Sequence, residues 1–198
     1  MKIKSMLICF IVILCGSVCV GQAPAKKTGL TVADREAWQK VLRWPAELEE
    51  QWRRSRTTND RDQSGLVFHS LGHGNYLVVI EVQESAYQPR CVFMHYSESA
   101  GTPARLLKLK TYERDDDDAG TVSSKVSTEV EGIATFDAAK KQLVLHTQGR
   151  GIGDCGSLVR YNITPTRAIP AAARAHGCYD DYSLGITDPM KWQKIKRL

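Results

Sequence analysis

Hydrophobic and polar positions follow three successive rhythms along the chain. Met6 to Val20 is a nearly unbroken apolar run behind the basic residues Lys2 and Lys4. It is shorter than the roughly 20 residues that span a bilayer and it ends in small residues, which is the pattern of a secretory signal. Cleavage is expected after Gly21, or as late as Ala25. Neither Cys15 nor Cys19 has the small residue before it that lipid attachment favours, so no lipid anchor is expected. Residues 1–21 therefore read as a signal peptide, 22–28 as a flexible tether, and 29–198 as a single β-rich domain. On this reading the mature chain has no membrane span and works in the periplasm.

A helical rhythm follows. Thr31-Val32-Ala33-Asp34 resembles a capping box, with threonine able to cap and an acid three residues on. Val32, Trp38, Val41 and Leu42 then share one helical face. Pro45 suits the start of a second helix, in which Leu48 and Trp52 lie one turn apart. The large indoles of Trp38, Trp44 and Trp52 are expected to anchor a core.

From Gly65 the rhythm becomes strand-like. Leu66–Leu71, Tyr76–Gln83, Val92–Tyr96, Arg105–Tyr112, Lys125–Val130, Gln142–Thr147 and Leu158–Ile163 are short β-favouring runs, most of them bounded by Gly, Pro, Asn, Asp or Ser. Gly72-His73-Gly74-Asn75 predicts a hairpin turn. The fold class expected is α+β: mainly antiparallel β, sandwich or barrel-like, with short N-terminal helices.

Composition narrows the picture modestly. Loss of Lys2 and Lys4 leaves 25 basic against 22 acidic residues, a net charge of +3. That is ordinary for a soluble protein and does not point to nucleic acid. Cys9, Cys15 and Cys19 leave with the signal, so Cys91, Cys155 and Cys178 remain.

The most distinctive stretch is Gly149-Arg150-Gly151-Ile152-Gly153-Asp154-Cys155-Gly156-Ser157. Its cysteine has three readings. An exported protein and 22 intervening residues suit a Cys155–Cys178 disulfide, worth about 3 kcal/mol in the chain-entropy model. Alternatively, Gly-Asp-Cys-Gly resembles the nucleophile loop of chymotrypsin-like peptidases, with His69, His73 or His95 as base. Redox chemistry is the third reading, though no Cys-x-x-Cys supports it. The glycines lack the Lys-Ser/Thr of a phosphate loop. They read instead as a conformational device in which Arg150 and Asp154 pair locally or, with Gly151 and Gly153, face a partner.

His69-x3-His73 has metal-like spacing across a strand end and turn, without further ligands nearby, so neither metal nor cofactor is expected. Asp115–Asp118 reads as a solvated loop tip. The basic C-terminal stretch reads as docking through Trp192 and Ile195 or as brushing an anionic surface, and docking is the preferred expectation.

Ser85-Ala86-Tyr87-Gln88, the segment from Gly132 to Asp137, the Gly-Arg-Gly-Ile-Gly-Asp-Cys-Gly core, Cys178 and the Trp44-Pro45 pair together resemble the exported bacterial family known as domain of unknown function 1176. The resemblance runs from Trp44 to Asp181. That family often carries a cysteine shortly after Trp-Pro and another before Ala-Tyr-Gln. Leu48 stands at the first place here and the strand before Ser85 has no cysteine, which is what the loss of one disulfide looks like. The resemblance brings Tyr87 and Gln88 into the candidate binding set and implies no activity.

No acid–base pair, metal cluster or convincing nucleophile emerges from the sequence. The function expected is non-catalytic binding of another envelope or periplasmic protein, in one form as an inhibitor or immunity protein against an envelope-acting enzyme. The alternatives are a cysteine peptidase using Cys155 and a structural envelope protein.

Overall fold

A computed structural model describes residues 29–56, 64–83, 87–99, 101, 103–114, 121–178 and 187–198. The signal and tether, Ser85-Ala86 and Asp115–Asp118 lie outside the described residues. Among the described residues two helices come first, α1 (Arg35–Leu42) and α2 (Ala46–Ser55). Twelve strands follow: β1 (Leu66–Gly72), β2 (Asn75–Gln83), β3 (Arg90–Ser97), β4 (Arg105–Leu106), β5 (Leu109–Arg114), β6 (Val122–Ser127), β7 (Glu129–Glu131), β8 (Ile133–Asp137), β9 (Gln142–Gln148), β10 (Gly156–Ile163), β11 (Ala168–His176) and β12 (Gln193–Lys194).

Every strand pairing is antiparallel. The first sheet has the order β1-β2-β3-β4, with β7 also paired to β3; the second runs β12-β11-β10-β9-β8; and β5 and β6 form a separate hairpin. The sheets are open, and the fold is the mainly antiparallel α+β expected.

Two buried clusters define the layers. Leu77, Val79, Cys91 and Phe93 of the first sheet meet Leu143, Leu145, Val159 and Tyr161 of the second. The opposite face of the first sheet packs Phe68, Val78, Ile80, Val92 and Met94 against Trp38, Leu42, Trp44 and Leu48 of the helical segment. The order is thus helices, first sheet, second sheet. Because the first sheet is covered on both faces, β2 and β3 are continuous apolar runs rather than alternating ones.

Several local expectations hold, with amendments. Trp38, Trp44 and Trp52 are all buried. Asp34, not Thr31, stands at the N-cap of α1. The Thr31 backbone N–H and hydroxyl both donate to the Asp34 carboxylate (2.7 and 2.8 Å), so only the acid's half of the capping box forms, one turn early. Val41 is exposed, and Arg35 takes the inward place instead. The hairpin turn between β1 and β2 has His73 and Gly74 at φ 54° and 70°, as tight two-residue turns require. The expected strand Arg105–Tyr112 is broken into β4 and β5, because the two parts take different partners: Arg105 and Leu106 pair with β3 in the first sheet, whereas Leu109–Arg114 pair with β6 in the separate hairpin. Trp192 is buried as expected, its ring stacked 6.2 Å from His176 and edge-on to His146.

Candidate functional site

The connection between β9 and β10 is the Gly-rich stretch. Its base is a strand pair, Gln148 opposite Gly156, and the Gly149 N–H donates to the Cys155 carbonyl (3.0 Å). Within it the Gly153 N–H donates to the Arg150 carbonyl (3.0 Å), closing a turn. Gly153 and Gly156 lie at φ 69° and 131°, where a side chain is strained. A Cβ on Gly156 would also stand 1.9 Å from the Thr147 carbonyl oxygen.

Cys155 is bonded to Cys178, with Cα atoms 4.8 Å apart, and is fully buried. The bridge lies against Gly149, where a Cβ would fall 2.6 Å from the Cys178 sulfur. The loop is therefore tied to the segment that follows β11. Cys91 is a free thiol buried in β3; its burial, reinforced by Glu81, pushes its pKa up to about 12.

Arg150 and Asp154 face each other. Arg150 Nε donates to Asp154 Oδ1 (2.8 Å) and a terminal N–H donates to Oδ2. This two-pronged pair spans the turn, and the hydrogen bonds from Arg150 hold the Asp154 carboxyl below its ordinary range. The local pairing expected of these residues is formed.

Tyr87 and Gln88 reach the loop from the other sheet, although 60 residues separate Gln88 from Gln148. The Gln88 amide N–H donates to the Gln148 carbonyl (3.1 Å), and its oxygen accepts from the Gln148 N–H (2.8 Å). A buried side chain thus copies a strand's hydrogen bonds and clasps the loop base to the first sheet. The Tyr87 ring lies over Gly151, where any Cβ would meet it at 2.4 Å.

Arg150, Gly151, Gly153, Asp154, Cys155, Cys178, Tyr87 and Gln88 therefore converge on one structure. What the residue pattern did not disclose is what that structure exposes. Ile152 is 71 % exposed and Tyr87 is 68 % exposed, the two most exposed large apolar side chains among the described residues. Ile152 adjoins the glycine that Tyr87 covers. A lone isoleucine among glycines was the available signal, since nothing in a turn requires it. Beside the loop, Gln148, Gly149 and Cys178 form one wall of a groove of about 1010 Å³, and the β5–β6 hairpin contributes another wall.

The three histidines considered as a base, His69, His73 and His95, do not gather at Cys155. His69 stacks on Phe136 at 4.7 Å, His73 occupies the β1–β2 turn, and His95 is buried in β3. Among the described residues no three His, Cys, Asp or Glu side chains stand close enough to hold a metal ion.

No curated protein and no solved structure matches the chain. A match over residues 17–194, nearly the whole length, assigns the chain to the family described as Protein of unknown function (DUF1176), and the protein belongs to that family.

Proposed function

We propose that this protein is an exported, non-catalytic binding protein of the periplasm that inserts the loop 149–155 into a concave site on another envelope protein. The observation that carries this reading is the exposure of Ile152 and Tyr87 on an anchored support. An apolar pair held by a disulfide, an ion pair and a glutamine clasp loses little freedom on binding, which is what makes a contact efficient. A cell-wall-degrading enzyme blocked by such a plug is the form of partner that fits a convex loop. Export is supported by the apolar run Met6 to Val20. The peptidase alternative needs a free thiolate at Cys155, and the bridge to Cys178 withholds it.

The test is affinity capture from a periplasmic extract with wild type, Ile152→Asp and Tyr87→Ala. Both side chains are solvent-exposed, so the variants keep the fold, checked by circular dichroism. A partner retained by wild type and bound roughly 30-fold more weakly by Ile152→Asp is expected, the scale of a binding hot spot. Identical captured sets for all three proteins would refute the loop as the binding element. Arg150→Asp with Asp154→Arg keeps the loop's ion pair while reversing it. A loss of binding in that double variant, with both singles already weakened, would show direct contact by the pair.

A further inference from the structure

Strand β6 pairs with β5 along one edge, and among the described residues no strand lies along the other. Val122 to Val126 are all exposed, Val126 to 60 %. The pairing with β5 continues over six residue pairs without a register shift. No bulge twists this edge away and no proline interrupts it, and Lys125 is the lone charge guarding it. Among the other edges, β1 carries an irregularity between Ser70 and Gly72, β4 and β12 are two residues long, and β8 is regular but only five residues long and ends in the charged Asp137.

The order of side chains on β6 selects an occupant. Val122-Ser123-Ser124-Lys125-Val126 has valine at both ends and serine at its centre, so it reads almost alike in both directions. We infer that β6 pairs antiparallel with β6 of a second copy of this chain about a two-fold axis at Ser124, joining two β5–β6 hairpins into a four-stranded sheet. In a two-fold contact each residue meets its mirror position. Val122 faces Val126 of the second copy, and the reverse; Ser124 faces Ser124; Lys125 faces Ser123. The valines and Ser124 share one face of the strand, so two apolar cross-strand pairs flank a serine pair, the kind of contact that stabilises antiparallel strands. Shifting the axis to Lys125 would oppose the two lysines, which is unfavourable. Shifting it to Ser123 would leave Val126 with no residue of β6 opposite. A single strand pairing over five residues is a small interface, so the dimer is concentration-dependent. The inference is independent of loop 149–155.

The test uses the full chain with Cys9, Cys15 and Cys19 changed to serine, carrying either Ser124→Cys or Ser123→Cys. Directly opposed Cβ atoms are about 4.5–5.5 Å apart, close to disulfide reach, whereas diagonal neighbours are about 7–8 Å apart. Under mild oxidation Ser124→Cys should give a covalent dimer at least tenfold faster than Ser123→Cys. In sedimentation, Val126→Lys should weaken self-association at least tenfold with an unchanged circular dichroism spectrum. Cross-linking by both cysteine variants, or by neither, would overturn the pairing. A protein that stays monomeric throughout would leave the β6 edge to a strand of a different protein.

Discussion

The aromatic and aliphatic side chains at the helix-covered face of the first sheet and those at the loop end of the second sheet meet opposite fates. Trp38, Trp44 and Phe68 are buried among apolar neighbours, while Tyr87 and Ile152 stand in solvent. The two regions are also held differently. The helical side is organised around a buried charge: Arg35 Nε donates to both Glu49 oxygens (3.1 and 2.9 Å), its terminal N–H groups donate to the Ser64 and Glu81 carbonyls (2.8 and 2.9 Å), and its guanidinium lies 4.3 Å from the Trp52 ring. The loop side has little apolar core and depends on a covalent bridge, a surface ion pair and a side chain that imitates backbone. A region can be fixed by what it buries or by what it ties, and only the second way leaves apolar side chains available to a partner.

The largest expected effect breaks the buried side. Arg35→Ala leaves Glu49 enclosed without its cation and takes one donor from each of two carbonyls, which should cost about 3–5 kcal/mol. Denaturant unfolding measures it, and a loss below about 1 kcal/mol would show that the network is incidental. Replacing Arg35 and Glu49 together by Met and Leu should cost far less, because neither charge is then stranded. On the tied side, Cys155→Ala with Cys178→Ala should cost about 3 kcal/mol, since closure of the intervening loop no longer restrains the unfolded chain. Hydrogen exchange should rise in 149–155 and stay unchanged in α1 and α2; a uniform rise would erase the distinction between the two regions. In native wild type at pH 8 none of Cys91, Cys155 and Cys178 should be alkylated, because Cys91 is buried with its pKa pushed up to about 12 and the other two are bridged.

The same contrast governs what could be read from residues alone. The strand rhythm, the three indole anchors and the disulfide were legible because each follows from local pattern or spacing. Arg35 was not: on a helix face a lone arginine reads as solvated, and its inward role depends on Glu49, Ser64 and Glu81 arriving from elsewhere. Strand β11, Ala168-Ile-Pro-Ala-Ala-Ala-Arg-Ala-His176, was also hidden, since alanine and proline are poor strand formers. It forms because β10 pairs along its length, with an irregularity opposite Pro170. Strand β12 offers partners only to Arg174 and Ala175, so Pro170 lies away from that pairing. At the site, the glycines announced a fixed shape. That Gln88 would clasp Gln148, and that Tyr87 would cover Gly151, required the two sheets to be packed first.

The smallest expected effect sharpens the comparison by acidifying the tied side. The Asp154 carboxyl is lowered chiefly by its hydrogen bonds from Arg150. A carboxyl whose pKa falls on folding stabilises the fold above its unfolded value of about 3.9, and that contribution is lost as pH drops through the lowered folded value. Loop 149–155 should thus be unchanged from pH 7 to pH 5 and loosen only below about 4, seen as faster exchange of the Gly153 N–H that closes the turn. Asp154→Asn should show the loosened loop already at neutral pH and remove the acid transition. Asp137 supplies the control: its carboxyl is lowered by the Lys140 backbone N–H and ammonium in the β8–β9 turn, so Asp137→Asn should leave the transition in 149–155 in place. A transition that survives Asp154→Asn would mean that the bridge and the Gln88 clasp hold the loop without the ion pair.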